Sequence, residues 1–596
     1  MIRQETGTKK QSGSISEIKC NGKLITSGSK MSNLFNNFFV NNAFATSQLA
    51  SNTEALNFTQ NCQDYCKNIF HFQKVNEDKV EKIICSLEDK NSAGWDEIPI
   101  SVIKAVSKTI IKPLTHIVNV TLQSGIFPEK LKYGIVRPLH KQSDTKEISN
   151  YRPITLLPAF SKIIEKIAAE QVAIFAECNN IFHKCQFGFR KNKSTHEAIF
   201  ELVHELSRAL DSSQPSIGIF CDLSKAFDCV NHDLLVSKLD HYGFKTTAKQ
   251  FFISYLSDRF QKVKLLKLDG TVSYSQWARV PCGVPQGSIL GPLLFIIFIN
   301  DLAANVKARL FQFADDTTAI VSGDSLSEVA SVASHTLQNM FTWFGANGLK
   351  LNSKKTNIVT FKNINSVQSN FNHINITLPN GDICESTNSV KFLGLKVQSN
   401  LKWSSHLESL KSDLGKAIFM INTLSNLADF NTALKIYHCC FLGAIRYSVI
   451  FWGSTPEMDV IFKYQKRALR NLFKKNYRES CKPLFQNSNL LTLPALYIFE
   501  TLKFFKQHPE YFEFSKSKHN HNTRYKDKLI TEIHRSNLFE KSPHYAAIKF
   551  FNCLPKSLRN ENSIRKFLSG TRVLLLKICP YSINEFLQCA RGGNYC

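Results

Sequence analysis

The amino-acid sequence predicts a mixed α/β (α+β) core followed by a basic, helix-rich extension. Between Gly218 and Val321 two β-rich segments are separated by helical ones, an alternation that fits an α/β or α+β layer arrangement. After about residue 400 acidic residues become scarce: residues 440–596 hold 26 Lys/Arg against 11 Asp/Glu. That surplus is more than half of the chain's net charge of +26 in about a quarter of its length. A Lys-rich solvated helix face is the bland reading of such a tail, and a nucleic-acid surface is the functional one. The 596 residues set a prior of about four structural units. With 43% hydrophobic residues, 20% charged residues and 46 Phe, the composition excludes a disordered or fibrous chain. The charge excess favours a polyanionic partner, nucleic acid ahead of an anionic membrane surface.

Seventeen Cys follow no regular framework, so free thiols in a reducing setting, nucleus and cytoplasm, are expected. Cys62/Cys66 and Cys439/Cys440 lack the further ligands that a zinc site needs. The polar start Met1–Glu5 shows no secretory signal, and apolar runs such as Leu293–Ile299 are far short of the ~20 residues that cross a bilayer.

Taken in chain order, residues 1–74 mix Ser, Asn, Gly and Gln around one apolar patch, Leu34–Val40, and read as a weakly structured lead-in. From Val75 the spacing of Val80, Ile83, Ile84 and Leu87 predicts a helix, and Ile98 to Leu122 repeats the pattern. Ile217–Cys221 is an apolar strand delivering Asp222 at its end. A helix should follow, with Asn231 as N-cap, Leu234, Leu235 and Leu239 on one face, and Gly243 as its stop. An acid ending a strand is by itself more often a loop cap than a ligand. Leu310–Val321 predicts a β-hairpin with Asp315 and Asp316 at its bend. Adjacent carboxylates against a strand end are unfavourable unless cations compensate them. Without nearby His or Cys, such oxygen ligands suit Mg²⁺ or Mn²⁺. If Asp222 meets Asp315, the pair can hold two ions at ~3.5–4 Å, the arrangement that serves phosphoryl transfer. Finally, Gly283, Gly287 and Gly291 punctuate a loop running into an apolar helix, where backbone can pass close to a base pair or sugar.

These three segments, in this order, resemble motifs A, B and C of reverse transcriptases. Tyr151–Pro158, Ser161–Lys166 and Gln186–Thr195 resemble the fingers motifs of jockey-type non-LTR retrotransposons, as do Ser92–Asp96, Asn347–Thr356 and Phe392–Leu395. The match is strong over residues 75–410; beyond it, His521–Arg524 and Phe551–Pro555 are similar to the carboxy-terminal region of such elements. The resemblance implies a right-hand polymerase with fingers, palm and helical thumb. Expected boundaries are a helical extension at 75–120, a reverse transcriptase domain at 121–400, a thumb at 401–480 and a basic region at 481–596. Within the domain, fingers are expected to about 215 and palm from 216.

Carried onto this chain, the resemblance implies Asp222, Asp315 and Asp316 as the catalytic carboxylates, with Asp222 and Asp315 the bridging metal ligands and the Leu223 carbonyl assisting. Phe227 matches the steric gate against a ribose 2′-hydroxyl. Arg152, with Lys141 as a second candidate, matches the cation facing the incoming triphosphate. Gln286 and Gly287 match the nucleotide and template contact loop. Lys355 matches the lysine that protonates departing pyrophosphate, with Lys354 beside it as an alternative. For each helper the bland reading is a surface cation. Implied partners are an RNA template, a DNA primer or target DNA and dNTPs, with two Mg²⁺ ions and no membrane. The stretch before residue 75 is too short for the endonuclease of such elements, so a fragment is expected. Two competitors are an RNA-dependent RNA polymerase, disfavoured by Phe227 and by Ala314 ahead of the acid pair, and an inactive relic that only binds RNA.

Overall fold

The computed structural model describes residues 15–591 apart from 21, 62–67, 142–143, 268–269, 363–373 and 516–526. Cys62, Cys66 and the His521–Arg524 motif lie outside the described residues.

Residues 15–60 correct the expectation of a weakly structured lead-in. They contain a 20-residue helix, α1 (Gly28–Ser47), and a second helix, α2 (Asn52–Gln60). Met31, Phe35, Phe39 and Ala43 recur every fourth position and are buried, so the patch at Leu34–Val40 is part of one helical stripe that the surrounding Ser and Asn disguise. Several of those polar residues tie the segment down. Asn36 Nδ2 donates to the Gln276 carbonyl (2.9 Å), the Gln276 N–H donates to Asn33 Oδ1 (3.0 Å), and the Ser51 N–H donates to the Ala346 carbonyl (3.0 Å).

The next helix, α3 (Glu77–Ser86), buries Val80, Ile83 and Ile84 as its periodicity predicts. The Ile98–Leu122 stretch divides at Val106 into a short turn of helix and α4 (Ser107–Ser124). Then come β1 (Tyr133–His140), β2 (Tyr151–Leu156), α5 (Ala159–Cys178), α6 (Thr195–Asp211), β3 (Ser216–Cys221) and α7 (His232–His241). In α7 the Asn231 side chain accepts the Leu234 N–H, and Gly243 lies just beyond with φ of 92°. The chain continues through β4 (Arg259–Leu266), β5 (Val272–Tyr274), β6 (Ala278–Val280), α8 (Leu290–Phe298), β7 (Arg309–Phe313), β8 (Asp316–Ser322), α9 (Leu326–Ala346) and β9 (Asn357–Phe361). Helices dominate afterwards, chiefly α10 (Ser404–Leu427), α11 (Met458–Leu472), α12 (Leu493–Gln507), α13 (Pro543–Cys553) and α14 (Ile564–Ile578).

Two sheets organise the first two-thirds. One runs β2-β1-β4-β5 with β6 also on β4; β1 and β4 pair in parallel, Tyr133 opposite Phe260. The other runs β7-β8-β3-β9 and is antiparallel throughout. A split into fingers before 215 and palm after 216 is therefore not contiguous, because residues 259–280 return to the sheet built by residues 133–156.

Central strand β3 is buried at every position. Ile217, Ile219 and Cys221 face one hydrophobic cluster, while Phe220 faces another with Phe311, Ile320, Val359 and Phe361. Burial on both faces is why the strand reads as an unbroken apolar run. The second cluster continues through the buried face of α6 into α10, α12 and α13, so the expected thumb and basic region share one core. Polar contacts reinforce this docking on α6. Tyr511 Oη donates to Glu197 (3.0 Å) and Glu201 (2.5 Å), and Asp211 accepts the N–H groups of Arg535 (3.0 Å) and Ser536 (2.7 Å). Cys185, Cys221, Cys229, Cys282 and Cys384 are buried free thiols. Among the described residues no helix is long and apolar enough to cross a membrane.

Candidate active site

Asp222 follows β3 and Asp316 opens β8. Cys221 pairs with Thr317, so the residues just beyond them leave neighbouring strands at the same end of the sheet. Phe313 pairs with Asp316, which makes Ala314 and Asp315 the two-residue bend. Of the acid pair expected at the bend, only Asp315 occupies it.

Ala314 has φ of 58°, a conformation that a residue with a Cβ adopts only under constraint. Buried Gln186 supplies one. Its Oε1 accepts both the Gly188 N–H (2.8 Å) and the Ala314 N–H (3.1 Å). Next to it, the Phe187 N–H donates to the Gln312 carbonyl and the Gln312 N–H donates to the Cys185 carbonyl, both at 2.8 Å. The backbone passes so close that a Cβ on Gly188 would stand 2.4 Å from the Ala314 nitrogen. The bend carrying Asp315 is thus fixed by a short segment more than 120 residues upstream.

Asp222 is fixed from the other side. Asn352 Nδ2 donates to Asp222 Oδ2 (3.3 Å), the Asn352 N–H donates to the Asp222 carbonyl (2.9 Å), and the Asp222 N–H donates to Thr356 Oγ1 (3.4 Å). The Lys355 N–H in turn donates to the Asn352 carbonyl (3.1 Å), so the loop bearing both candidate lysines hangs on the first carboxylate.

The electrostatics are those of a crowded anionic site met by cations. Burial raises the Asp315 carboxyl, Asp222 adds to the rise, and Arg152 and Lys141 oppose it. Asp316 is pushed up to about 6 by desolvation, then by Asp315 and Asp222. Lys141 is lowered by desolvation, then by Arg152 and Lys355, and raised by Asp222 and Asp315. Lys141 feels Arg152, Lys355, Asp222 and Asp315, and both Asp315 and Asp316 feel Asp222, Arg152 and Lys141, so the fold places these six groups near one another. Leu223 follows Asp222 in a two-residue strand paired with Leu351. The Cys221 thiol is buried and raised well above its ordinary value, which removes it as a competing soft ligand.

The remaining candidates are Phe227 and the Gln286–Gly287 loop. The Phe227 ring stacks on Phe295 at 4.3 Å between centroids and meets exposed Phe189 edge-on at 6.4 Å. Gln286 Nε2 donates to Asp228 Oδ1 (2.8 Å), and the Gln286 carbonyl accepts the Thr155 N–H (2.8 Å). The expected contact loop is therefore stitched to β2, three residues from Arg152. Gly287 has φ of 131°, and a Cβ there would stand 2.2 Å from the Thr155 carbonyl oxygen. Glu165 Oε2 accepts the Ile289 N–H (2.6 Å) at the start of α8, completing the anchorage.

Sequence reasoning quoted Gln186 and Asn352 inside motifs but gave them no role. They lie 128 and 130 residues from the positions they hold, so only burial and partners make the role readable. Among the described residues, a group of three potential ligands within 4.8 Å of one another is Glu197, His508 and Glu510. Lys193 (2.5 Å) and Tyr511 already engage Glu197, so this group belongs to the docking of residues 508–511 on α6.

Residues 139–397 match the family described as reverse transcriptase (RNA-dependent DNA polymerase). The chain is 27% identical to the probable RNA-directed DNA polymerase from transposon BS of Drosophila melanogaster, over 80% of this chain and 53% of that protein. It is 24% identical to the RNA-directed DNA polymerase from mobile element jockey of the same species, over 66% and 43%. It is 26% identical to the putative 115 kDa protein in type-1 retrotransposable element R1DM, over 64% and 36%. The chain spans about half the length of the curated relatives it matches. The matched segment, which holds the carboxylates, the cations and the glycine loop, is thus similar to the reverse transcriptase region of these retrotransposon proteins.

Proposed function

We propose that this chain is the RNA-directed DNA polymerase of a non-LTR retrotransposon, extending a primer 3′-hydroxyl with dNTPs on an RNA template. The observation that supports the reading is that Asp222, Asp315 and Asp316 lie at one end of the sheet within electrostatic reach of Lys141 and Arg152, with Lys355 beside Lys141. Hard carboxylate oxygens without an available thiol fit Mg²⁺ or Mn²⁺. Asp222 and Asp315 would hold two such ions, with Asp316 and the Leu223 carbonyl beside them. When bound, the ions activate the attacking hydroxyl and neutralise the leaving pyrophosphate. Arg152 and Lys141 bind the triphosphate, and Lys355 donates a proton to the departing pyrophosphate. Phe227, backed by Phe295, blocks a ribose 2′-hydroxyl, and the Gln286–Gly287 loop positions nucleotide and template.

In this reading residues 75–120 brace the polymerase, 121–400 form fingers and palm, 401–480 the thumb and 481–596 a basic nucleic-acid-facing region. Target DNA serves as the primer source, and the setting is nuclear and cytoplasmic. The test is dNTP incorporation on an RNA template bearing an annealed DNA primer, with Mg²⁺ or with EDTA. Extension confined to the Mg²⁺ reaction is expected. Primer–template binding with no extension under any metal condition contradicts the proposal and leaves the RNA-binding relic.

A further inference from the structure

Helix α11 and the turn after it carry a charge pattern that lies outside the carboxylate site. From Ile461 to Arg478 there are seven Lys/Arg and no Asp or Glu. Helical spacing sorts those on α11: Ile461, Phe462, Gln465, Ala468, Leu469 and Leu472 are buried, while Lys463 and Arg467, four residues apart, are exposed; Lys474, Lys475 and Arg478 are exposed in the turn beyond Leu472. Lys463 and Arg467 thus share the solvent side of the helix, and exposed cations continue this stripe into the turn that follows. Among the described residues Lys463, Arg467, Lys474 and Arg478 make no ion pair, and the nearest acid in sequence, Glu479, engages Lys475 at 3.2 Å.

An exposed aromatic ring interrupts this stripe. Tyr477 is 84% exposed, far more than an amphipathic ring needs for a satisfied hydroxyl. It is also held in place. The Arg470 guanidinium lies 5.5 Å from the Tyr477 ring centroid and donates twice to the Glu479 carbonyl, at 2.9 and 3.1 Å. A solvated helix face accounts for the lysines but not for a ring so exposed to water with a guanidinium 5.5 Å from its centroid.

We infer that the α11 stripe and Tyr477 form a binding surface for single-stranded nucleic acid, the cations following the phosphates and the ring stacking on an unpaired base. Cation grooves with exposed aromatics bind single strands because every base offers a π-face, whereas duplex bases are already stacked. The surface acts in binding and needs no catalytic carboxylate, so its test is separate from that of polymerisation. Template RNA and a displaced DNA strand share the chemistry.

The experiment measures anisotropy of labelled 20-nucleotide RNA, 20-nucleotide DNA and a blunt DNA duplex with the full chain, across a salt series. The variants are Lys463→Glu/Arg467→Glu/Lys474→Glu and, separately, Tyr477→Ala, each checked for an unchanged melting curve. The charge variant should weaken single-strand binding at least tenfold and make the log–log salt slope shallower by about 2, since each lost phosphate contact removes about 0.7. Tyr477→Ala should weaken it about fivefold or more with the slope unchanged. Tighter binding of RNA assigns the template as source, and tighter binding of DNA assigns a displaced strand. Unchanged affinity in the charge variant, or duplex binding as tight as single-strand binding with Tyr477→Ala silent, overturns the inference.

Discussion

Asp316 shows how a single titrating group reports on the site. Its carboxyl is raised from 3.8 to about 6 in the fold, so between these values the folded chain holds more proton than the unfolded chain. Stability of the metal-free protein from this group therefore rises as pH falls through about 6. Asp316→Asn should raise the melting temperature in EDTA at pH 7.5, and differential scanning calorimetry that found a lower value would contradict mutual repulsion. Gln186 offers the opposite case. Gln186→Leu leaves the buried Gly188 and Ala314 N–H groups without an acceptor, at about 1–3 kcal/mol each, and frees the bend under Asp315. Extension kcat should drop more than tenfold with primer–template affinity unchanged, while Gln186→Glu, which keeps an acceptor oxygen, recovers most of it. Phe227→Ala should admit ribonucleotides, measured as the ratio of dNTP to rNTP incorporation; an unaltered ratio removes the ring from sugar selection.

Elements explain why some of this was legible beforehand. Strand β3 and the hairpin β7–β8 were readable because buried apolar runs flank acids, and α7 because Asn231 and Gly243 bracket a leucine face. Helix α1 was not, since its apolar residues sit at every fourth position among Ser and Asn that look like loop composition. Residues 259–280 were equally hidden: a parallel pairing of β4 with β1 depends on a strand more than 100 residues away. The glycine loop was read as a close-approach device, and the structure supplies the neighbour, Thr155 of β2. Gly287→Ala should cost about 1–3 kcal/mol through left-handed strain and collision with that carbonyl. Gly381→Ala, at φ of 84° with no atom within 4 Å, shares the strain without the collision. Thermal unfolding should rank Gly287→Ala as the more damaging.

At the scale of the whole molecule, α6 joins the polymerase sheet to the carboxy-terminal helices. Two rings mark the joint: half-buried His204 and buried His544 lie 4.5 Å apart. Burial lowers His204 to about 3, with His544 and Arg208 adding to the depression, and His544 is lowered as well. A histidine held neutral by the fold favours the folded state above its unfolded value near 6.5, and that contribution fades as pH falls from 6.5 toward 3. Proteolysis between α12 and α13 should therefore accelerate from pH 7.5 to 5, and His204→Phe should flatten the response. Composition marks the region after residue 440 as cationic, but a shared core with α6 is a tertiary property that no local pattern announces.

The account rests on carboxylates from separate strands acting as one cation site that drives chemistry. Its most direct test is a Mn²⁺ titration followed by electron paramagnetic resonance, run beside primer extension for the wild type and Asp315→Asn. Saturable Mn²⁺ binding and extension in the wild type, both lost in Asp315→Asn with primer–template affinity intact, is the expected result. Equal Mn²⁺ binding and equal extension in the two proteins would contradict it.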